Sequence, residues 1–239
     1  MESTQTSSDD KEQNPNLDQD SELTSEETPG WMPAIMAGTL ILGMIGFISC
    51  GVTTWLLFKK RTEFAIRTLE QTYIPSVEQS LLAPEEKKAT LKHLRDFTAD
   101  LKRGNYEDWQ AGGVMTRLIR SPVFQWGDLS AIEAFVKSQP DAFEPGALTH
   151  LSRLRQAADI DKAVAIDFDY ALESVLVYDD SIRRQSLKEP LDVESVAQVV
   201  SRCKEVADRF GINGTINEDV WIDKILKRQI DAGIEKGSI

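Results

Sequence analysis

At 239 residues and a net charge of −12, the chain has one cluster of Lys and Arg, at Lys59, Lys60 and Arg61 beside an apolar run, which argues against nucleic acid as a partner, since neutralising a phosphate backbone takes more. Cys50 and Cys203 are too few for a disulfide framework, and His93 and His150 stand without the i, i+4 or cysteine neighbours of a zinc site. The length leaves room for one medium domain beside a membrane span.

Residues 1–30 carry Glu2, Asp9, Asp10, Glu12, Asp18, Asp20, Glu22, Glu26 and Glu27 against Lys11, and so hold most of the negative charge. With almost no aliphatic or aromatic side chains to bury, this tail is expected to be a disordered acidic leader.

The run Trp31 to Phe58 contains no Asp, Glu, Lys, Arg or His. At about 1.5 Å per residue, a helix of that length crosses a hydrocarbon core of about 30 Å with some tilt. Trp31 and Trp55 suit the two membrane–water interfaces, and Lys59, Lys60 and Arg61 close the run, so a transmembrane helix is predicted over 31–58. The acidic residues ahead of it and its length do not suit a cleaved secretory signal. Phe47-Ile48-Ser49-Cys50 resembles a bacterial lipobox, but that pattern has an aliphatic residue where Phe47 stands, and apolar sequence continues past Cys50.

Lys59, Lys60, Arg61 and Arg67 flank only the C-terminal end of the run, so the positive-inside rule predicts the tail outside and the rest cytoplasmic, in a plasma or inner membrane. The sequon Asn213-Gly214-Thr215 requires the opposite orientation and is set aside as coincidence. Thr39, Gly43, Gly46, Cys50 and Thr53 recur at alternating spacings of four and three along the span. This small-residue seam suits close packing against a second copy.

Beyond the boundary, residues 62–74 are expected to prolong the membrane helix as a stalk until Pro75 interrupts it. Pro84, Glu85 and Glu86 open the next helix, which carries Leu91, Leu94, Phe97 and Leu101 on one face and stops before Gly104. Asn105 is the expected cap of a helix through Trp109 to Ile119, weakened in its middle by Gly112-Gly113, and Asp128 the expected cap of another over 129–137. Pro145-Gly146 precedes a helix with Leu148, Leu151 and Leu154.

The most apolar soluble stretch, 160–178, is expected to be a central core helix, although Val164 to Phe168 also alternates as a strand would. A polar loop over 179–190 follows. Asp192 then caps a helix with Val193, Val196, Val200, Cys203, Val206 and Phe210 at 3–4 spacing, ending at Gly211. A last helix is expected from Asn217 or Glu218 to Ala232, burying Trp221, Ile222, Ile225, Leu226 and Ile230.

Motifs for chemistry are sparse. Asp159, Asp161, Asp167 and Asp169 crowd one region, yet counting from Asp159 as in an EF-hand loop puts Ala163 and Val164 where an oxygen ligand and glycine belong. Gly112-Gly113 is not followed by the Lys-Ser or Lys-Thr of a phosphate loop. Gly104-Asn105-Tyr106-Glu107-Asp108 resembles the turn of a tetratricopeptide hairpin, though Trp109 stands where that family prefers Ala and no second copy follows about 34 residues on. Arg183-Arg184-Gln185-Ser186 matches an arginine-directed kinase pattern.

The expected protein is therefore all-α: a disordered tail 1–30, a transmembrane helix 31–58, a basic boundary and helical stalk 59–79, and a soluble helical domain 80–239. The expected function is non-enzymatic: a single-pass membrane anchor, adaptor or assembly subunit presenting a helical protein-interaction domain. Its expected partners are the lipid bilayer, another protein and, through the membrane helix, a second copy, but not nucleic acid. No catalytic, cofactor-binding or metal-ligating residue is assigned. The alternative is a membrane-tethered enzyme or signal transducer with a site near the 159–180 carboxylates.

Overall fold

A computed structural model describes residues 31–179, 184–217 and 219–237, so the acidic tail lies outside the described residues. Helix α1 spans Trp31–Lys59, and its stretch Ala34–Trp55 is long and apolar enough to cross a membrane. None of that stretch is buried within the protein. Thr39 donates its hydroxyl to the carbonyls of Ile35 and Met36 at 3.0 and 2.9 Å, which satisfies a polar side chain inside the helix itself.

The chain breaks from α1 at Lys60 and continues as α2 (Arg61–Thr68), a π-helical turn (Leu69–Tyr73) and α3 (Ile74–Gln79). Pro75 does not end this segment. Proline has no N–H and its ring crowds the carbonyl four residues back, and the turn widens just ahead of it, with the Ile74 N–H reaching the carbonyl of Leu69. Nor does the segment stand apart as a stalk: Ala65, Leu69, Tyr73 and Val77 are buried in the same core as the later helices. The Tyr73 hydroxyl donates to the carbonyl of Leu118 at 3.0 Å, and burial pushes its ionisation far above the ordinary tyrosine range.

Helix α4 (Pro84–Lys102) buries Leu91, Leu94, Phe97 and Leu101, the face expected from their spacing. Helix α5 (Asp108–Arg120) begins two residues later than Asn105 as its cap would have placed it. Glu107 caps it instead, in a reciprocal box with Gln110, whose Oε1 accepts from the Glu107 N–H at 2.9 Å. Helix α6 (Val123–Ser138) starts directly after Pro122, so Asp128 lies in its second turn rather than at its cap. Helix α7 (Ala147–Asp159) buries Leu151 and Leu154.

The stretch 160–178 is not one helix. Only Ala165–Leu172 forms α8, and a 3-10 turn leads into β1 (Leu176–Asp179), which pairs antiparallel with β2 (Arg184–Leu187), Leu176 opposite Leu187. Part of the expected polar loop is thus a short hairpin beside an all-α domain. Helix α9 (Val193–Arg209) starts where Asp192 predicts, the Asp192 carboxylate accepting from the Ser195 N–H at 2.7 Å, and it ends with Gly211 at φ 68°, a left-handed conformation that glycine adopts without strain. Helix α10 (Ile222–Lys236) starts later and runs further than expected. Its first residue Ile222 and then Ile225, Leu226 and Ile230 are buried, while Trp221 stays 41 % exposed.

Helix α10 lies against both α4 and α5. A tetratricopeptide hairpin would pack α4 on α5 directly, and the C-terminal helix takes that place here. The α10–α5 crossing is close because Gly113 faces Gly233 and Gly237: a Cβ on Gly113 would meet the Gly237 Cα at 2.5 Å. Side-chain packing at such a crossing would hold the helix axes further apart.

Candidate interaction surfaces

The four clustered carboxylates point to four different tasks. Asp159 pairs with Arg228 of α10 at 3.2 Å, and Asp161 accepts from Gln229 of the same helix at 2.6 Å. Asp167 accepts from the Val164 N–H at the start of α8 and from Arg209 of α9, at 2.9 and 2.8 Å. Asp169 accepts from Gln125 of α6 at 2.7 Å. Each is thereby matched to a cation, an amide or a helix end, and among the described residues no three His, Cys, Asp or Glu side chains converge as a cation site would need.

Other reactive groups are similarly committed. Cys203 is buried in α9, and its thiol is pushed far above the usual range by burial, the reverse of an activated nucleophile. His150 titrates below the ordinary histidine range, chiefly because it is partly withdrawn from water. Ser186 of the kinase-like pattern sits in β2 opposite Val177, and Arg183 lies outside the described residues.

Three buried or half-buried charges hold helices together and were not anticipated from the sequence. Glu86, in the first turn of α4, accepts from the Trp126 indole at 3.2 Å and from the Ile222 N–H at 3.4 Å, which places a carboxylate at the positive end of α10. Arg155 stacks 4.4 Å above the Trp126 ring while forking onto Glu133 at 3.0 and 3.3 Å. Arg153 donates to the carbonyl of Ile212 at 2.6 Å and to Asp208, whose carboxyl it holds below the usual range. All three charges have partners on other elements of the fold.

Two of the clefts among the described residues combine exposed apolar side chains with charge of one sign. The first is a cleft beside the hairpin, floored by Phe124, Leu176 and Leu187 and walled by Asp128, Asp169 and Glu189. The Gln125 Oε1 at its edge is buried without a hydrogen-bond partner, and Leu81 lines it while 54 % exposed. An acidic wall over an apolar floor suits a basic, apolar segment of another protein.

The second face is a groove between α2, α5 and the end of α10. Arg61, Phe64, Trp109, Thr116, Ile119 and Lys236 line it, and no carboxylate does. Phe64, Trp109 and Ile119 are 49 %, 46 % and 67 % exposed, so large apolar side chains stand in water beside cations. On α5 they lie away from the buried stripe of Ala111, Val114 and Leu118. An apolar residue off the core stripe is the sequence signal that could have marked this face, and only the position of α2 shows that Phe64 joins it. No protein-family model, curated protein or solved structure matches this chain.

Proposed function

We propose that this protein is a single-pass membrane anchor that presents a helical interaction domain at the membrane surface, as an adaptor or assembly subunit rather than an enzyme. One observation carries the reading. The stretch Ala34–Trp55 exposes an uninterrupted apolar helix, while the domain after it has its own buried core and does not use that helix to complete it. Such a helix in water would expose several times the apolar patch a soluble monomer tolerates, which is typically a few hundred Å². Lipid removes that cost.

The flanking Lys59, Lys60, Arg61 and Arg67 support an orientation with the acidic tail outside and the domain cytoplasmic. Protease added to intact cells is then expected to remove the tail and spare residues 61–237. Digestion of the domain with the tail protected would reverse the orientation, and release of the whole protein by alkaline carbonate would remove the anchor reading altogether. The acid-walled hairpin cleft is the face assigned to a protein partner.

Self-association through the span belongs to the same reading. A side chain at Gly43 or Gly46 would meet nothing within 4 Å in a single chain, so the seam is open to a second helix. In a parallel pair the two Cys50 thiols approach each other, and a membrane-permeant oxidant is expected to join them. Leu at both Gly43 and Gly46 should abolish the crosslinked band. Leu at Ile41 and Ile48, off the seam, should leave it, and a band that survives the glycine replacements rules the seam out.

A further inference from the structure

We propose that the cavity where α5 turns into α6 is a binding site for a phosphate-class oxyanion, either free phosphate or the phosphoryl group of a small monoester. The site lies within the folded domain and does not depend on the anchor reading above.

The cavity measures about 100 Å³, several times what one water needs, and the turn after α7 and the middle of α10 complete its wall. The last turn of α5 contributes Arg117 and Arg120, neighbours three positions apart on one side of the helix. Arg117 is held in place: its Nε donates to the Gly237 carbonyl at 3.0 Å and its Nη1 to the Gln229 Oε1 at 3.3 Å. The Arg120 guanidinium is exposed and has no hydrogen bond or ion pair to a described residue. Asp161 is the carboxylate among the lining residues. It accepts from the Gln229 Nε2 at 2.6 Å and lies 3.8 Å from Arg228, so its charge is answered from α10 and the wall as a whole stays positive.

Two further features call for an acceptor there. Ser121 lines the cavity at 5 % exposure, and its Oγ is buried with no hydrogen-bond partner among the described residues, although an unpaired buried hydroxyl costs stability. The other feature is the start of α6. The Ser121 N–H closes the end of α5 on the carbonyls of Arg117 and Leu118, whereas no side chain caps α6, and Pro122, which precedes it, lines the cavity. A helix start of this kind offers first-turn N–H groups and a positive dipole end to an oxyanion. Guanidinium, hydroxyl and helix start approach one space from different elements, which suits a tetrahedral anion with several acceptor oxygens better than a planar carboxylate. Water would satisfy Ser121 as well, but it gains nothing from the charge of Arg120.

The test uses the full chain in an uncharged detergent, with melting followed by circular dichroism and the ionic strength held constant with sodium chloride. Phosphate is expected to raise Tm by several degrees, because a ligand that binds only the folded state stabilises it by mass action. Arg120→Gln, at an exposed position, should melt like the parent without phosphate and need about tenfold more phosphate for the same rise, as expected for the loss of one charge-assisted hydrogen bond. Ser121→Ala removes the unpaired hydroxyl, so it should be at least as stable as the parent without phosphate and gain less from its addition. Lys204→Gln on α9, outside the cavity, should respond in full. Glycerol phosphate replaces inorganic phosphate in a second series. A tighter response to it assigns the site to a monoester and an equal or weaker one to the free anion, and either sustains the oxyanion site.

No rise in Tm beyond that given by chloride, an equal rise with acetate, or a phosphate response undiminished in both Arg120→Gln and Ser121→Ala overturns the site and leaves the cavity to water. None of these outcomes bears on the anchor reading, which the protease and carbonate experiments decide.

Discussion

A fragment beginning at residue 80 is expected to lose cooperative unfolding, whereas one beginning at residue 60 melts as a single helical domain in the absence of detergent. Removing 61–79 strips out Leu69 and Val77, which are fully buried, together with Tyr73 and Ala65. Each large apolar side chain contributes about 1.5–3 kcal/mol by burial, so their joint loss approaches the roughly 5–15 kcal/mol that holds an ordinary domain together. The cut also exposes the faces of α5 and α4 that α2 and α3 cover, and leaves Leu118 without the Tyr73 hydroxyl against its carbonyl. Circular dichroism during heating and light scattering distinguish the cases: a broad, aggregating transition for 80–239 against a sharp one for 60–239. Matching sharp melts would return 61–79 to the role of a stalk.

The second large effect concerns two adjacent glycines with opposite outcomes. Gly112 and Gly113 both lie within α5, and by helix propensity alone either change to Ala gains up to about 1 kcal/mol. At Gly112 a Cβ would meet only the Arg61 side chain, at 3.4 Å, so Gly112→Ala is expected to be neutral or mildly stabilising. At Gly113 the same methyl would lie 2.5 and 2.6 Å from backbone atoms of Gly237 and 2.8 Å from the Gly233 carbonyl oxygen. Backbone cannot rotate out of the way, so α5 and α10 must separate, and overpacking of this kind costs about 1–3 kcal/mol or more. Gly233→Ala meets Val114 backbone at 2.6 Å and should behave alike. For a domain of this size, 3 kcal/mol lowers Tm by roughly 6–12 °C. A Gly113→Ala variant as stable as Gly112→Ala would show that the crossing is looser than described.

What the sequence determined by itself were the features encoded within a few residues. The charge-free run of α1 and the cations after it mark the apolar helix, because transfer to lipid depends on local composition. The stripe of α4, the Asp192 cap and the Gly211 stop all stand where spacing and side-chain chemistry predict, since each depends on neighbours one turn away. The all-α class follows from the same periodicities.

Only the tertiary structure decided what depends on a distant partner. Residues 61–79 read as a stalk because an amphipathic helix after a membrane span shows no sign of what covers it; α5 covers it, some 45 residues on. The apolar stretch 160–178 divides because its last three residues pair with β2, and a strand is made by its partner more than by its own preference. Glu86 serves the first turn of a helix 136 residues away. Gly113 looks like a weak point in a helix until Gly233 and Gly237 are set against it, because close approach of two backbones is a property of the pair, and neither stretch of sequence carries it alone.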